Sequence, residues 1–255
     1  MDIDKNPIDV SGFADEVSVI VKDFAQDLIG KFPVQIESLT MTGSCITSDY
    51  THGRSDINSV VILDDVSMSV LDGIASLGKR FGKRHVRAPL IMTREYILRS
   101  LDVFPVEFLD IKLIHKTVYG QDMFSPIELD KSMLRLQCER DLKARLINLR
   151  QGYIACSGDT RALNTLLTDV YSGYFPLLRA MLHIVGDSAP LPTIKDDVLA
   201  DIEKTFAMSM ESLMEIRSIR GKKRPLFSND QAHRIFNEVY RITHEFSLKM
   251  DKIFS

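Results

Sequence analysis

Gly43-Ser44, which close a β-prone run at residues 34–41, and Asp56 and Asn58, at the head of the apolar run 57–63, have the types and spacing for chemistry. Glycine lets the backbone turn sharply and approach a ligand, and serine adds a hydroxyl and an N–H for phosphate oxygens. Asp56 and Asn58 are two apart on an expected strand, so both side chains point to one face. Such a pair suits Mg²⁺ held between protein and phosphate oxygens, because Mg²⁺ takes oxygen ligands and usually needs only one or two carboxylates. A third acid from a neighbouring strand would complete a two-metal site. Glu107 and Asp110 are the candidates. On a regular strand they face opposite sides, so at most one fits.

The elements needed to position these residues are legible in the pattern. Phe13, Val17, Ile20, Val21, Phe24 and Leu28 recur at helical spacing, predicting an amphipathic helix that ends near Gly30. The run 57–63 is nearly continuous and β-branched, as in a central strand buried on both faces. Residues 67–81 predict a helix, 86–93 a short strand pushed to a sheet edge by Pro89, and 94–101 a helical turn or two. Residues 104–118 are expected to form one long strand carrying Glu107, closed by Gly120.

From Leu129 onward the period is helical. Leu142, Leu146, Leu149 and Tyr153 form one stripe, and Leu163, Leu166, Leu167, Val170 and Tyr174 a second. Ile202, Phe206, Met210, Leu213 and Met214 form a third, and Ile235, Val239, Ile242 and Phe246 a fourth. Turn residues separate them, at Ser157-Gly158-Asp159, at 186–192 and at 221–225. Each stripe must be buried against a neighbour, so the expectation is an α+β domain over residues 1–124 and an all-α helical bundle over 125–255.

Gly-Ser, a polar spacer, Ser55-Asp56-Ile57 and an apolar strand together resemble the nucleotidyltransferase superfamily, in particular its aminoglycoside and minimal members. The resemblance covers residues 34–124, and the preceding helix and following bundle fit its two-domain members. It implies a mixed sheet flanked by helices, with Gly43 and Ser44 holding the triphosphate of ATP or another nucleoside triphosphate. Mg²⁺ would sit on Asp56, on the position of Asn58 and on a third carboxylate acting as ligand or base. Pro105-Val106-Glu107 matches the proline–apolar–glutamate run of the aminoglycoside-modifying members, which favours Glu107 over Asp110. The implied reaction transfers a nucleoside monophosphate to a hydroxyl acceptor that the sequence does not identify.

Asn58 departs from that pattern. It offers a neutral carbonyl oxygen where the resemblance calls for a charged one. Two unit charges about 4 Å apart interact by roughly 4 kcal/mol at an effective dielectric of 20, on the order of a thousandfold in metal occupancy or rate. Two outcomes follow: a weakened Mg²⁺-dependent transferase, or a catalytically inactive module with a sensing, regulatory or scaffold role.

Composition bounds the rest. A hydrophobic share of 45% with 26% charged residues is that of a soluble globular protein, and a net charge of -3 gives no whole-chain case for nucleic-acid binding. Cys45, Cys138 and Cys156 are too few and scattered for a disulfide framework or zinc site, which with a polar, acidic start (MDIDKNPIDV) suggests the cytoplasm. No apolar run approaches the roughly 20 residues of a membrane span. Asp49 and His52 read as solvated loop residues, Asp64-Asp65 as a turn or N-cap, and His115 as a packed or surface histidine. The basic clusters Lys79, Arg80, Lys83, Arg84, His85, Arg87 and Arg217, Arg220, Lys222, Lys223, Arg224 suit helix C-termini. Arg179 and His183 have only three residues between them, too close for the Arg–His spacing of the RNA-cleaving helical domains that resemble this bundle. Met208, Met210 and Met214 suit core gaps or a dimer seam, and the long C-terminal helices leave a homodimer open.

Overall fold

A computed structural model describes residues 7–186, 190–219 and 226–253. The chain divides into two compact units, and the division is not the single cut expected near residue 125. Residues 1–101 and 110–128 form the first unit, and 102–109 and 129–255 the second.

In the first unit, α1 (Asp15–Lys31) leads into β1 (Ile36–Thr42), a 3₁₀ turn (Gly43–Ile46), a loop, and β2 (Asn58–Leu63). Next come α2 (Met68–Gly82), β3 (Leu90–Thr93) and α3 (Arg94–Arg99), and, beyond α4 (Pro105–Leu113), β4 (His115–Gly120). The sheet order is β3-β2-β1-β4, with β1 antiparallel to both neighbours and β3 parallel to β2. Alternation divides the sheet's faces. Leu39 and Met41 of β1 with Ile57, Val61 and Leu63 pack against Val17, Val21, Phe24 and Leu28 of α1 and Val70, Ile74 and Phe81 of α2. On the other face lie Thr40, which shares a 3.0 Å hydrogen bond with Thr117, and the buried Val60 and Ile62. β2 is thus buried on both faces, as its unbroken apolar run requires.

One element differs in kind from its expectation. Residues 104–118 are not one strand: Pro105–Leu113 is helical and only His115–Gly120 is β. Pro105 opens the helix, where its missing N–H costs nothing. The next N–H, of Val106, is accepted by Gln137 Oε1 at 2.9 Å. Glu107 therefore lies in the first turn of a helix, not on a strand beside β2. The expected strand at 86–93 is also shorter, with Val86 making only an isolated parallel bridge to Ile57.

The second unit contains α5 (Lys131–Cys156), α6 (Thr160–Ser172), α7 (Tyr174–Val185), α8 (Lys195–Phe206), α9 (Glu211–Ile219) and α10 (Asn229–Lys252). The third apolar stripe is two helices, because Ala207 turns left-handed at φ +51° and ends α8. α7 continues beyond the second stripe as a separate, almost fully buried helix. Caps fix the starts: Asp130 accepts the N–H of Ser132 at 2.6 Å, Asp159 that of Arg161 at 2.7 Å, and Ser228 with Gln231 forms a capping box. Buried polar groups fix the register. Tyr174 Oη pairs with Thr243 Oγ1 at 2.5 Å, and Arg179 donates to the Thr193 carbonyl at 2.7 Å. Of the methionines on the third stripe, Met210 is buried and Met214 is 39% exposed. The three cysteines are free, buried thiols, and no described helix is long and apolar enough to cross a membrane.

Candidate functional site

β1 ends at the turn that the sequence singles out. Gly43 has φ +75°, and its N–H donates to the Ile114 carbonyl at 3.2 Å. A Cβ there would meet only Asn58 Nδ2, at 3.5 Å, so the backbone angle rather than lack of room calls for glycine. The Ser44 carbonyl accepts the Thr47 N–H at 3.0 Å, closing the 3₁₀ turn. Cys45 beneath it donates to the Thr42 carbonyl at 3.4 Å. Burial pushes its thiol up to about 11, against the opposing effect of the N–H groups of Asn58 and of Cys45 itself, so it is a packed thiol and not a nucleophile. The loop after the turn is tied down by Ser55 Oγ, which accepts the Thr51 N–H at 3.0 Å, and by His52, 3.1 Å from Glu16 on α1.

Register places Asn58 and the turn together. Thr42 pairs with Asn58 on β2 and with His115 on β4, so the three side chains are cross-strand neighbours on one face, beside Gly43. His115 is not open to a ligand. Its ring has Nε2 3.0 Å from Asp122 Oδ1 and Nδ1 3.0 Å from the carbonyls of Ile111 and Lys112, and it meets Phe124 edge-on.

Asp122 is the anchor of this corner. Burial pushes its carboxyl up, but the Ser125 hydroxyl, the N–H groups of Phe124 and Ser125 and the neighbouring His115 outweigh it and hold the group at about 2, below its ordinary 3.8. A carboxyl depressed by folding stabilises the fold above its unfolded value, and that contribution fades as pH falls through the folded one. Urea midpoints should therefore drop between about pH 4 and pH 2, and Asp122→Asn should flatten that limb while lowering stability at pH 7. Identical pH slopes for the two proteins would refute the assignment.

At the start of β2, Asp56 carries an ion pair absent from the sequence-based expectation: its Oδ2 lies 2.7 Å from Nε of Arg87. The sequence places Arg87 in a basic cluster at the end of α2. Its other two arginines are also paired, Arg80 with Asp27 and Arg84 with Asp23 at 2.7 Å, both guanidinia lying over Phe81. The second basic cluster lies outside the described residues except for Arg217, which pairs with Asp196. Arg87 is held beside β2 by backbone: its N–H donates to the Ile57 carbonyl at 3.0 Å, and the Ile57 N–H to the His85 carbonyl at 2.8 Å. His85 adopts φ +62° to make this approach. The signal for it in the sequence was weak, because parallel pairing between residues thirty apart has no local signature.

Within the first unit, the strands beside β2 bring no further carboxylate to its Asn58 end. β1 carries one acid, Glu37, beside Ile36, which pairs with Leu63 at the far end of β2 from Asn58. β3 and the segment 85–89 before it carry none. Glu107 belongs to the second unit, where it accepts from Gln137 Nε2 at 2.7 Å, and Gln137 also reaches Asp141 at 3.3 Å. An acid in the first turn of α4 suits the helix dipole. Asp110 lies on the same helix but falls in the first unit. Among the described residues no group of three or more histidine, cysteine, aspartate or glutamate side chains is placed to hold a metal ion. Asn58 and an Arg87-paired Asp56 do not fit the Mg²⁺ that the sequence resemblance implies.

No family profile matches the chain, and no curated protein matches its sequence. In three dimensions it is similar to spectinomycin adenyltransferase AAD(9) from Enterococcus faecialis, solved with ATP and spectinomycin. The match has a TM-score of 0.51 at 13% identity and spans 90% of this chain and 98% of that one. At that identity the likeness is one of fold: a nucleotidyltransferase-type mixed sheet flanked by helices, followed by a helical region.

Proposed function

We propose that the chain is a catalytically inactive nucleotidyltransferase-like module with a nucleotide-sensing, regulatory or scaffold role. The observation that carries this is the Arg87–Asp56 ion pair at the mouth of β2, with neither flanking strand offering a carboxylate at that end. A transferase of this fold needs concentrated negative charge to hold its divalent ions against the triphosphate. Here the balance at Asp56, Asn58 and Arg87 is one carboxylate against one guanidinium, net zero. Replacing one charge at about 4 Å already costs roughly 4 kcal/mol at an effective dielectric of 20, and an added positive charge acts in the same direction. The Gly43-Ser44 turn retains the backbone shape for phosphate oxygens, so ligand binding and group transfer are separable.

The alternative is Mg²⁺-dependent transfer of a nucleoside monophosphate from ATP or another triphosphate to a hydroxyl acceptor, with Asp56 and Glu107 as the catalytic acids. It is favoured by a likeness that runs nearly the whole length of an adenyltransferase solved with ATP and a small-molecule acceptor. Pyrophosphate release from each nucleoside triphosphate, with Mg²⁺ or Mn²⁺ and a panel of hydroxyl acceptors, separates the two. The expected result is background release for the wild type, unchanged by Asp56→Ala. Robust wild-type turnover abolished by Asp56→Ala would establish the transferase and end the inactive assignment.

A further inference from the structure

We propose that Arg87 is a built-in cation in place of the metal, so that the Gly43–Asn58 site takes polyphosphate anions without a divalent ion. The proposal rests on the non-catalytic function just given, and goes beyond it by naming a ligand class and the group that binds it. Three features carry it. The first is position: the backbone of Arg87 is pinned to β2 through Ile57, and its Nε lies 2.7 Å from Asp56 Oδ2. The second is valence: Nε is on Asp56, while the guanidinium fork also carries two terminal nitrogens on a side chain that is 68% exposed. Those four N–H bonds suit the planar, two-pronged recognition of phosphate oxygens. The third is backbone strain: His85, two residues before Arg87, holds φ +62°, a conformation that costs a non-glycine residue roughly 1 kcal/mol and that clusters at functional sites.

The electrostatics favour this ligand over a metal complex. A doubly charged cation meets a neutral amide at Asn58 and a carboxylate already shared with Arg87. A bare polyphosphate meets the exposed Arg87 guanidinium and, at the Gly43–Ile46 turn, Asn58, whose amide offers donors rather than a second negative charge.

Isothermal titration of the full chain with ATP and with inorganic tripolyphosphate, in EDTA and in Mg²⁺, tests this. Binding is expected in EDTA, strengthened less than about twofold by Mg²⁺ and weakened by salt, as for an exposed charge contact. Arg87→Ala should weaken it by at least about tenfold, the scale of a lost charge-assisted pair of hydrogen bonds. Arg87→Lys should fall between, since it keeps the charge without the fork, and it stands in for the alanine variant if that one fails to fold. ATP binding well above tripolyphosphate identifies a nucleotide as the source of the phosphates, and equal binding identifies the polyphosphate chain alone. Binding that requires Mg²⁺, binding unchanged in Arg87→Ala, or no binding of either ligand at millimolar concentration overturns the proposal. Binding that requires Mg²⁺ would also remove the charge argument for the non-catalytic assignment; the other two outcomes leave that assignment standing, and pyrophosphate release alone decides it.

Discussion

Gly120→Ala is expected to cost about 3 kcal/mol or more, a large share of the roughly 5–15 kcal/mol that holds an ordinary domain folded. Gly120 closes β4 at φ +77°, opposite Ser38. A Cβ built there would lie 2.0 Å from the Glu37 carbonyl oxygen, 2.9 Å from Ser38 Cα and 3.0 Å from the Glu37 carbonyl carbon. All three atoms are backbone of β1, the strand that ends in Gly43, so no side chain can swing aside. β1 would have to separate from β4, and the Thr40–Thr117 hydrogen bond between them would be strained as well. Gly158→Ala is the control. It has φ +82° but no atom within 4 Å of the added carbon, so it should cost only the backbone penalty, about 1 kcal/mol. Urea unfolding of both variants decides the matter: equal losses would mean that conformation rather than collision governs Gly120.

Asn164→Ala is expected to destabilise the second unit by about 3 kcal/mol. Asn164 is 1% exposed on α6 and grips the chain that leads into α10. Its Oδ1 accepts the Phe227 N–H at 2.8 Å, and its Nδ2 donates to the Phe227 carbonyl at 3.2 Å and to the Thr160 carbonyl at 2.8 Å. A hydrogen bond contributes about 1 kcal/mol net, but a buried N–H left without a partner costs about 1–3 kcal/mol by itself. Alanine removes the partner and keeps the orphan. Next to Phe227 is Ser228, the cap of α10, so hydrogen exchange at Ala232 and neighbouring amides should accelerate in the variant. A loss below about 1 kcal/mol, or exchange unchanged at the start of α10, would show that water replaces the asparagine without difficulty.

Where the sequence was legible, the physics was local. α1, α2 and α10 each bury a stripe against a polar face, and period alone reveals them. β2 is short, β-branched and headed by Asp56, and Gly43 sits where a left-handed angle is needed. α4 was not legible, for a reason visible in its burial. Pro105, Val106, Phe108, Leu109 and Ile111 are all buried, so its apolar positions fill most of the helix circumference and mimic a strand covered on both sides. Glu107 was thereby given a strand neighbour it does not have. The proline–apolar–glutamate run reads in three dimensions as the opening of a helix capped by Gln137. Arg87 posed the opposite difficulty. Its residue type suggested a helix end, while its role is set by parallel pairing with Ile57, a relation that only the folded sheet reveals.

α4 also bears on how such a protein can be taken apart or inherited. Its first turns are assigned with the helical unit and its last with the sheet, so the polypeptide passes from one unit to the other three times. A gene cut at residue 124 would strand residues 102–109 away from Gln137, exposing the Val106 N–H and the apolar side chains of Phe108 and Leu109. Neither half is a cassette that recombination could exchange cleanly across a linker. The segments of such a chain are therefore expected to be inherited together, with change falling on side chains of the frame rather than on its order of elements.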